Sequence, residues 1–222
     1  GIDLPRPASQ RAAAFILTAA MLTTLAAPAF AGTWYIEDGD ITVKAGETEG
    51  TNKVSQGANQ EVEDTDTIIT NENKDIASSN TVTIDAGNDK VKVTLEDVNI
   101  KAGSGSALTS KGDVTLTLKG DNHLTGGNGS SGISSSGSLT ITGDENDSLT
   151  AQGGDSRNGI YSVSGDVTIS GGTVTATGGN STGSYGSGGD GIHSGSVVKI
   201  SGDTITKATG GNATLTDGTG GP

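Results

Sequence analysis

The sequence predicts an all-β fold, a right-handed parallel β-helix, from three observations. Short runs alternate apolar residues with Thr or Ser, glycines mark the ends of those runs, and the whole phrase recurs along the chain. Residues 167–180 show the unit most plainly. Val167, Ile169, Val174 and Ala176 alternate with Thr168, Thr173, Thr175 and Thr177, Gly171 and Gly172 separate the two runs, and Gly178 and Gly179 close the second. A period of two puts the apolar residues on one face of a strand, and glycine adopts the turn conformations that other residues resist.

Composition agrees with this fold. The 222 residues include 37 Gly and no Cys, and only 3% are aromatic. Few compact globular domains are assembled from so little aromatic surface, whereas stacked coils need only small aliphatics inside and tight turns. A net charge of −13 weighs against nucleic acid and anionic membrane surfaces, both of which would repel the chain. Divalent cations are the natural charged partners.

Residues 1–31 differ from the rest. Arg6 and Arg11 precede an apolar run over residues 12–27, which closes with Pro28, Ala29, Phe30 and Ala31. A basic start, a short apolar stretch and an Ala-x-Ala ending predict an export leader cut between Ala31 and Gly32. The run is short for a membrane span and lacks a basic stop-transfer flank, so no membrane insertion is expected once the leader is gone. Removing Asp3, Arg6 and Arg11 with it takes the net charge from −13 to −14. An export signal without cysteine describes a secreted or cell-surface protein held by hydrogen-bond ladders instead of disulfides. The chain starts on Gly and ends within a turn-like phrase at residues 220–222, which reads as a fragment truncated at both ends.

Residues 32–80 carry weaker strand runs at 34–36, 41–43 and 67–70 with irregular spacing. They are expected to form an N-terminal cap and imperfect first coils, because an open stack exposes unpaired strand edges. Trp34 is the natural plug.

Residues 81–222 are the regular β-helix. Aligned on the apolar residue before each turn, Leu95, Leu118, Ile141, Ile169 and Ile200 give coils of 23, 23, 28 and 31 residues. That interval is too short for helix pairs or propeller blades and fits one coil of about three short strands. A second side starts at Leu124, Leu149, Val174 and Ile205, each followed by a Gly-Gly pair before Asn128, Asp155, Asn180 and Asn212. A third starts at Leu108, Ile133, Ile160 and Ile192. Two residues further on, Ser110, Ser135, Ser162 and Ser194 should point inward and form a buried ladder, each hydroxyl bonding the next coil. The extra residues of the longer coils fall within 152–158 and 181–190, making a rim of loops along one edge.

These phrases also resemble a known family. Thr81–Gly87, the run 93–100, the Leu118-Lys-Gly-Asp-Asn122 turn, the Gly-Gly-Thr-Val-Thr-Ala-Thr-Gly-Gly phrase and Trp34 with residues 38–43 look like the secreted carbohydrate-binding domain-containing β-helix proteins of bacteria. The resemblance covers most of residues 33–222. It implies a right-handed parallel β-helix related in shape to pectate lyases, calcium sites, and binding of cell-wall polysaccharide, either acidic pectin or cellulose.

Two residue sets are candidates for chemistry. The turn after the first strand offers Glu96 and Asp97, then Asp121 and Asn122, then Asp144, Glu145, Asn146 and Asp147, and finally Asp203. Coils about 4.8 Å apart would bring their carboxylates close enough to share a hard cation. Asp97, Asp121, Asp144, Glu145 and Asp147 are the expected calcium ligands, although Asp and Asn also occur simply because they turn well. The second set is aromatic. Thr109, Ser134, Tyr161 and His193 share an outward column and Tyr185 sits in the longest loop, so Tyr161, Tyr185 and His193 are the expected sugar-binding residues. No catalytic residue is assigned: a lyase would need a basic residue beside a calcium cleft, and Lys111, Lys119 and Lys199 converge with no Arg and Asp constellation. The expected function is calcium-assisted, non-catalytic polysaccharide binding. A pectate-lyase-type enzyme and a cell-surface adhesin or spacer are the alternatives.

Overall fold

The structure, a computed structural model, describes residues 30–184, 186–213 and 219–222. Most of the expected leader lies outside the described residues, as does Tyr185. The fold is all-β. Its first strands are β1 (Thr33–Tyr35), β2 (Ile41–Ala45), β3 (Asn52–Gln56), β4 (Asn59–Asp64) and β5 (Ile68–Thr70), with a 3-10 turn at Ile36–Asp38. There follow β6 (Val82–Glu96), β7 (Asn99–Lys101), β8 (Leu108–Lys119), β9 (Asp121–Thr125), β10 (Ile133–Ser136), β11 (Leu139–Gly143) and β12 (Ser148–Gln152). The last are β13 (Ile160–Ser162), β14 (Val167–Ile169), β15 (Gly172–Thr177), β16 (Ile192–Ser194), β17 (Val198–Ile200) and β18 (Thr204–Thr209).

These strands stack in three parallel ladders. One runs β2, β6, β8, β10, β13, β16. A second runs β1, β5, β6, β8, β11, β14, β17. Because β6 and β8 pass through both, the two ladders belong to one 13-stranded sheet. The third, β7, β9, β12, β15, β18, is a separate 5-stranded sheet. The arrangement is compatible with a β-solenoid. The antiparallel hairpin of β3 and β4 attaches to β2 and covers that edge of the stack.

Inward positions form one continuous apolar core. Ile84, Leu95, Leu116, Ile141 and Ile169 are fully buried, as are Leu108, Ile133 and Ile160. The expected third column is observed residue for residue, from Leu108 through Ile133 and Ile160 to Ile192. The other two need corrections. Ile141 pairs with Leu116, not with Leu118, and Leu149 pairs with Asn122, not with Leu124. Both errors are two residues, so the inward face is preserved. In the first, Gly143 stands opposite Leu118; in the second, an inward slot that counting apolar residues passes over is filled by Asn122. It is fully buried, its Oδ1 accepting from Val98 N at 2.9 Å and its Nδ2 donating to Lys119 O at 3.1 Å and Ser148 O at 3.2 Å. Ile205 is off by one. It pairs with Thr173, while Thr206 takes the place opposite Val174, so Ile205 faces outward and is 68% exposed.

The serine column stacks as expected, but its hydroxyls do not bond one another. Ser162 Oγ donates to Gly165 O at 2.8 Å and lies 3.3 Å from Gly137 O of the preceding coil, and Ser194 Oγ donates to Gly165 O at 2.8 Å. Ser135 Oγ bonds Gly137 O at 3.1 Å. Strands about 4.8 Å apart hold in-register hydroxyls beyond hydrogen-bond reach, whereas the corner carbonyls lie closer.

At the Gly-Gly corners the second glycines stack backbone on backbone. A Cβ on Gly154 would stand 2.0 Å from Gly127 O, and one on Gly179 only 1.7 Å from Gly154 O. Gly179→Ala is therefore expected to cost about 2–3 kcal/mol through overpacking against a backbone that cannot give, read as a lowered thermal midpoint. Gly103→Ala, where a Cβ meets nothing within 4 Å, should leave the midpoint unchanged.

Candidate functional site

Strand register places one outward column along the ladder that ends at β16: Thr83, Thr109, Ser134, Tyr161, His193. Tyr161 and His193 are held there by what lies beneath them. Ile160 and Ile192 turn inward, and Gly159 and Gly191 before them pack so tightly that a Cβ would stand 2.7 Å from Thr177 N and 2.6 Å from Thr209 N. The next residues of the strand must then face out. The two rings lie with centroids 5.5 Å apart and planes tilted by 42°. His193 Nδ1 is 2.8 Å from Asp190 Oδ2, and the Asp190 backbone N–H donates to Asn158 Oδ1 at 2.8 Å. A tilted aromatic pair beside a carboxylate presents apolar faces and a hydrogen-bond acceptor side by side, the combination that a sugar ring with its CH face and hydroxyl edge can use.

The acidic turns meet at another corner. Asp97, at φ 50°, directs Oδ1 to Asp121 N at 3.0 Å. Asp147 accepts from Gly120 N at 2.9 Å through Oδ1 and from Asp144 N at 3.0 Å through Oδ2, while Asp147 N donates back to Asp144 O at 3.0 Å. Asp121 accepts from Ser148 Oγ and lies 3.1 Å from His123 Nε2. Asp97, Asp121 and Asp147 thus come together across neighbouring coils, each tied to turn backbone or to a side chain. Asp144 and Glu145 are exposed on the same turn. Among the described residues, no three His, Cys, Asp or Glu side chains are gathered in a geometry that could hold a metal ion.

The Ser148 hydroxyl, above all, holds the Asp121 carboxyl below the usual range, with His123 adding to it and partial burial opposing. Asp166 is lowered in the same sense by Ser196 and then Lys199, whose Nζ lies 3.0 Å from Asp166 Oδ2. Of the three lysines considered as bases, Lys199 is therefore committed to an ion pair.

Sequence reasoning did not single out Asp190, Asn158 or Asp166. A signal for the first two was available, because Asn158 and Asp190 each stand two residues before an inward Ile and three before Tyr161 and His193. No helix among the described residues is long and apolar enough to cross a membrane. No protein-family model, curated protein or solved structure matches this chain.

Because its folded-state pKa is depressed, Asp121 contributes stability that is present above the ordinary carboxylate value and lost as pH falls through the folded value. Ser148→Ala should move the Asp121 midpoint upward in a carboxyl NMR titration. An unmoved midpoint would mean that the hydroxyl does not hold the charge.

Proposed function

We propose that this chain is a right-handed parallel β-helix, secreted or displayed at the cell surface, which holds cell-wall polysaccharide without cleaving it. Right-handedness follows from strand twist and the usual crossover hand. The observation that carries the function is the Tyr161 and His193 pair, ring beside ring on an outward sheet face with Asp190 at its edge. Successive sugar rings of an extended polymer would run along the column, stacking on the aromatics and bonding Asp190, Ser134 and Thr109. Tyr185 belongs to the same set by its place in the sequence.

Acidic pectin and cellulose are the polymers in view, on the family resemblance of the repeat phrases. A protein of net charge −13 repels a uronate polymer unless a cation intervenes. Calcium therefore enters as a bridge between uronate carboxylates and exposed protein carboxylates. Asp144 and Glu145 are the natural contributors, since Asp97 and Asp147 already serve turn N–H groups and Asp121 serves Ser148.

Retention on immobilised pectate and on cellulose, with calcium and with chelator, tests the reading. Tyr161→Ala and His193→Ala should each weaken retention about tenfold, equivalent to ~1.4 kcal/mol. Wild-type protein passing through both polymers unretained would reject polysaccharide binding. Ultraviolet absorbance from unsaturated uronate in the same incubations would replace it with a lyase.

A further inference from the structure

Asp64 is the one fully buried acid among the described residues, at 0% exposure. Its Oδ1 accepts from Gly32 N at 2.9 Å and from Asp66 N at 3.0 Å, and its Oδ2 accepts from Trp34 Nε1 at 2.8 Å. Among the described residues, no Lys, Arg or His lies within ion-pair distance of it. A buried carboxylate without a cation is costly, and neutral N–H donors compensate only part of that cost. Gly32 is shaped to this site. It is buried, a Cβ there would stand 2.7 Å from Trp34 Nε1 and 2.9 Å from Asp64 Oδ2, and its carbonyl accepts from Ile68 N at 3.1 Å, anchoring β1 to β5. Ala31, immediately before it, is exposed.

One of the three nitrogens that touch Asp64 is thus that of the bond at which the leader is expected to be cut. We propose that Gly32 is the first residue of the mature protein and that its free α-ammonium group is the counter-ion of Asp64. The proposal rests on the leader reading. Hydrolysis by an export-coupled leader endopeptidase adds water across the Ala31–Gly32 amide. The water oxygen goes to the Ala31 carbonyl carbon, leaving a carboxylate on the released leader. The Gly32 nitrogen departs as an amine and takes up a proton to become ammonium. Cleavage acts on the extended chain during export, so the folded cap need not open. The amide hydrogen bond seen at 2.9 Å then becomes a charge-assisted one with the same partner. Lost in exchange are the packing of the part-buried Phe30 against the core and the bonds from Thr65 N and Oγ1 to Phe30 O, at 2.6 and 2.9 Å, which water can replace because Thr65 is exposed. The other ionisable groups on the surrounding elements are Tyr35 on β1, Lys53 on β3, Glu61 and Glu63 on β4, Asp66 beyond it, and Asp85, Asp89, Lys90, Lys92 and Glu96 on β6. Lys53 Nζ is already bonded to Glu47 at 2.9 Å.

The full chain, expressed with its leader in an exporting bacterial host, supplies the test. Intact mass of the exported protein should give Gly32 as the first residue, and any other first residue overturns the leader premise by itself. On processed protein, Nα-acetylation of Gly32 should lower the thermal midpoint by about 2–4 °C at pH 6 and leave it unchanged at pH 10. The sign follows from linkage: an amine whose pKa is raised by its partner contributes stability below its ordinary value of about 7.7–8.0, lost as pH rises through the folded value. Asp64→Asn should abolish the difference between free and acetylated protein. An NMR titration of the Gly32 amine in wild-type protein gives a readout independent of that variant's folding, and it should place the midpoint above the ordinary range. Equal midpoints for free and acetylated protein, or an amine titrating at its ordinary value, would overturn the ion pair while leaving the leader intact.

Discussion

Between residues 82 and 177 every strand except β7 is flanked by a neighbouring strand on either side, and this in-register parallel pairing dictates almost everything else in the molecule. A residue in one of these strands is stacked on its counterpart in the next, so whatever occupies a position must tolerate that neighbour at strand spacing. Aliphatic side chains tolerate it well, which is why Leu108, Ile133 and Ile160 can fill a column with no aromatic packing. At the Gly-Gly corners only backbone fits. Gly154 and Gly179 are needed there because the preceding carbonyl lies where a Cβ would be.

The same stacking decides what the polar residues do. An Asn side chain both donates and accepts, so Asn122 can close a corner by bonding three backbone groups while fully buried. Carboxylates in the acidic turns only accept, and they cap N–H groups that the turn leaves unpaired. An acidic composition in this chain is in part a supply of turn caps. What the stacking does not use, at Asp144, Glu145 and the Tyr161 and His193 column, remains available to solvent and ligands.

The two ends of the stack differ. At the N-terminal end, Trp34 and Ile36 are buried, Asp64 gathers Gly32, Trp34 and Asp66, and the β3 and β4 hairpin covers the edge of β2. At the other, Val198 and Ile200 stand in register with the buried Val167 and Ile169 yet are 39% and 54% exposed. Identical inward positions therefore contribute very different amounts of burial according to whether a further coil lies over them.

The sequence by itself determined the all-β class, the recurring strand unit, the third-side column and the pairing of Tyr161 with His193. Those features repeat at short range, and a period of two read along one strand fixes which side chains share its face. It also marked Trp34, which is buried. Only the tertiary structure decided the register between Leu116 and Ile141, the outward turn of Ile205, the carbonyl partners of Ser135, Ser162 and Ser194 and the work of Asp97 and Asp147 as turn caps. Each depends on how many residues a corner absorbs and on which backbone group comes nearest across coils. Asp64 is the clearest case: nothing in its local sequence distinguishes it from the acids around it, and its role exists because folding brings Gly32 N to 2.9 Å across 32 residues of chain.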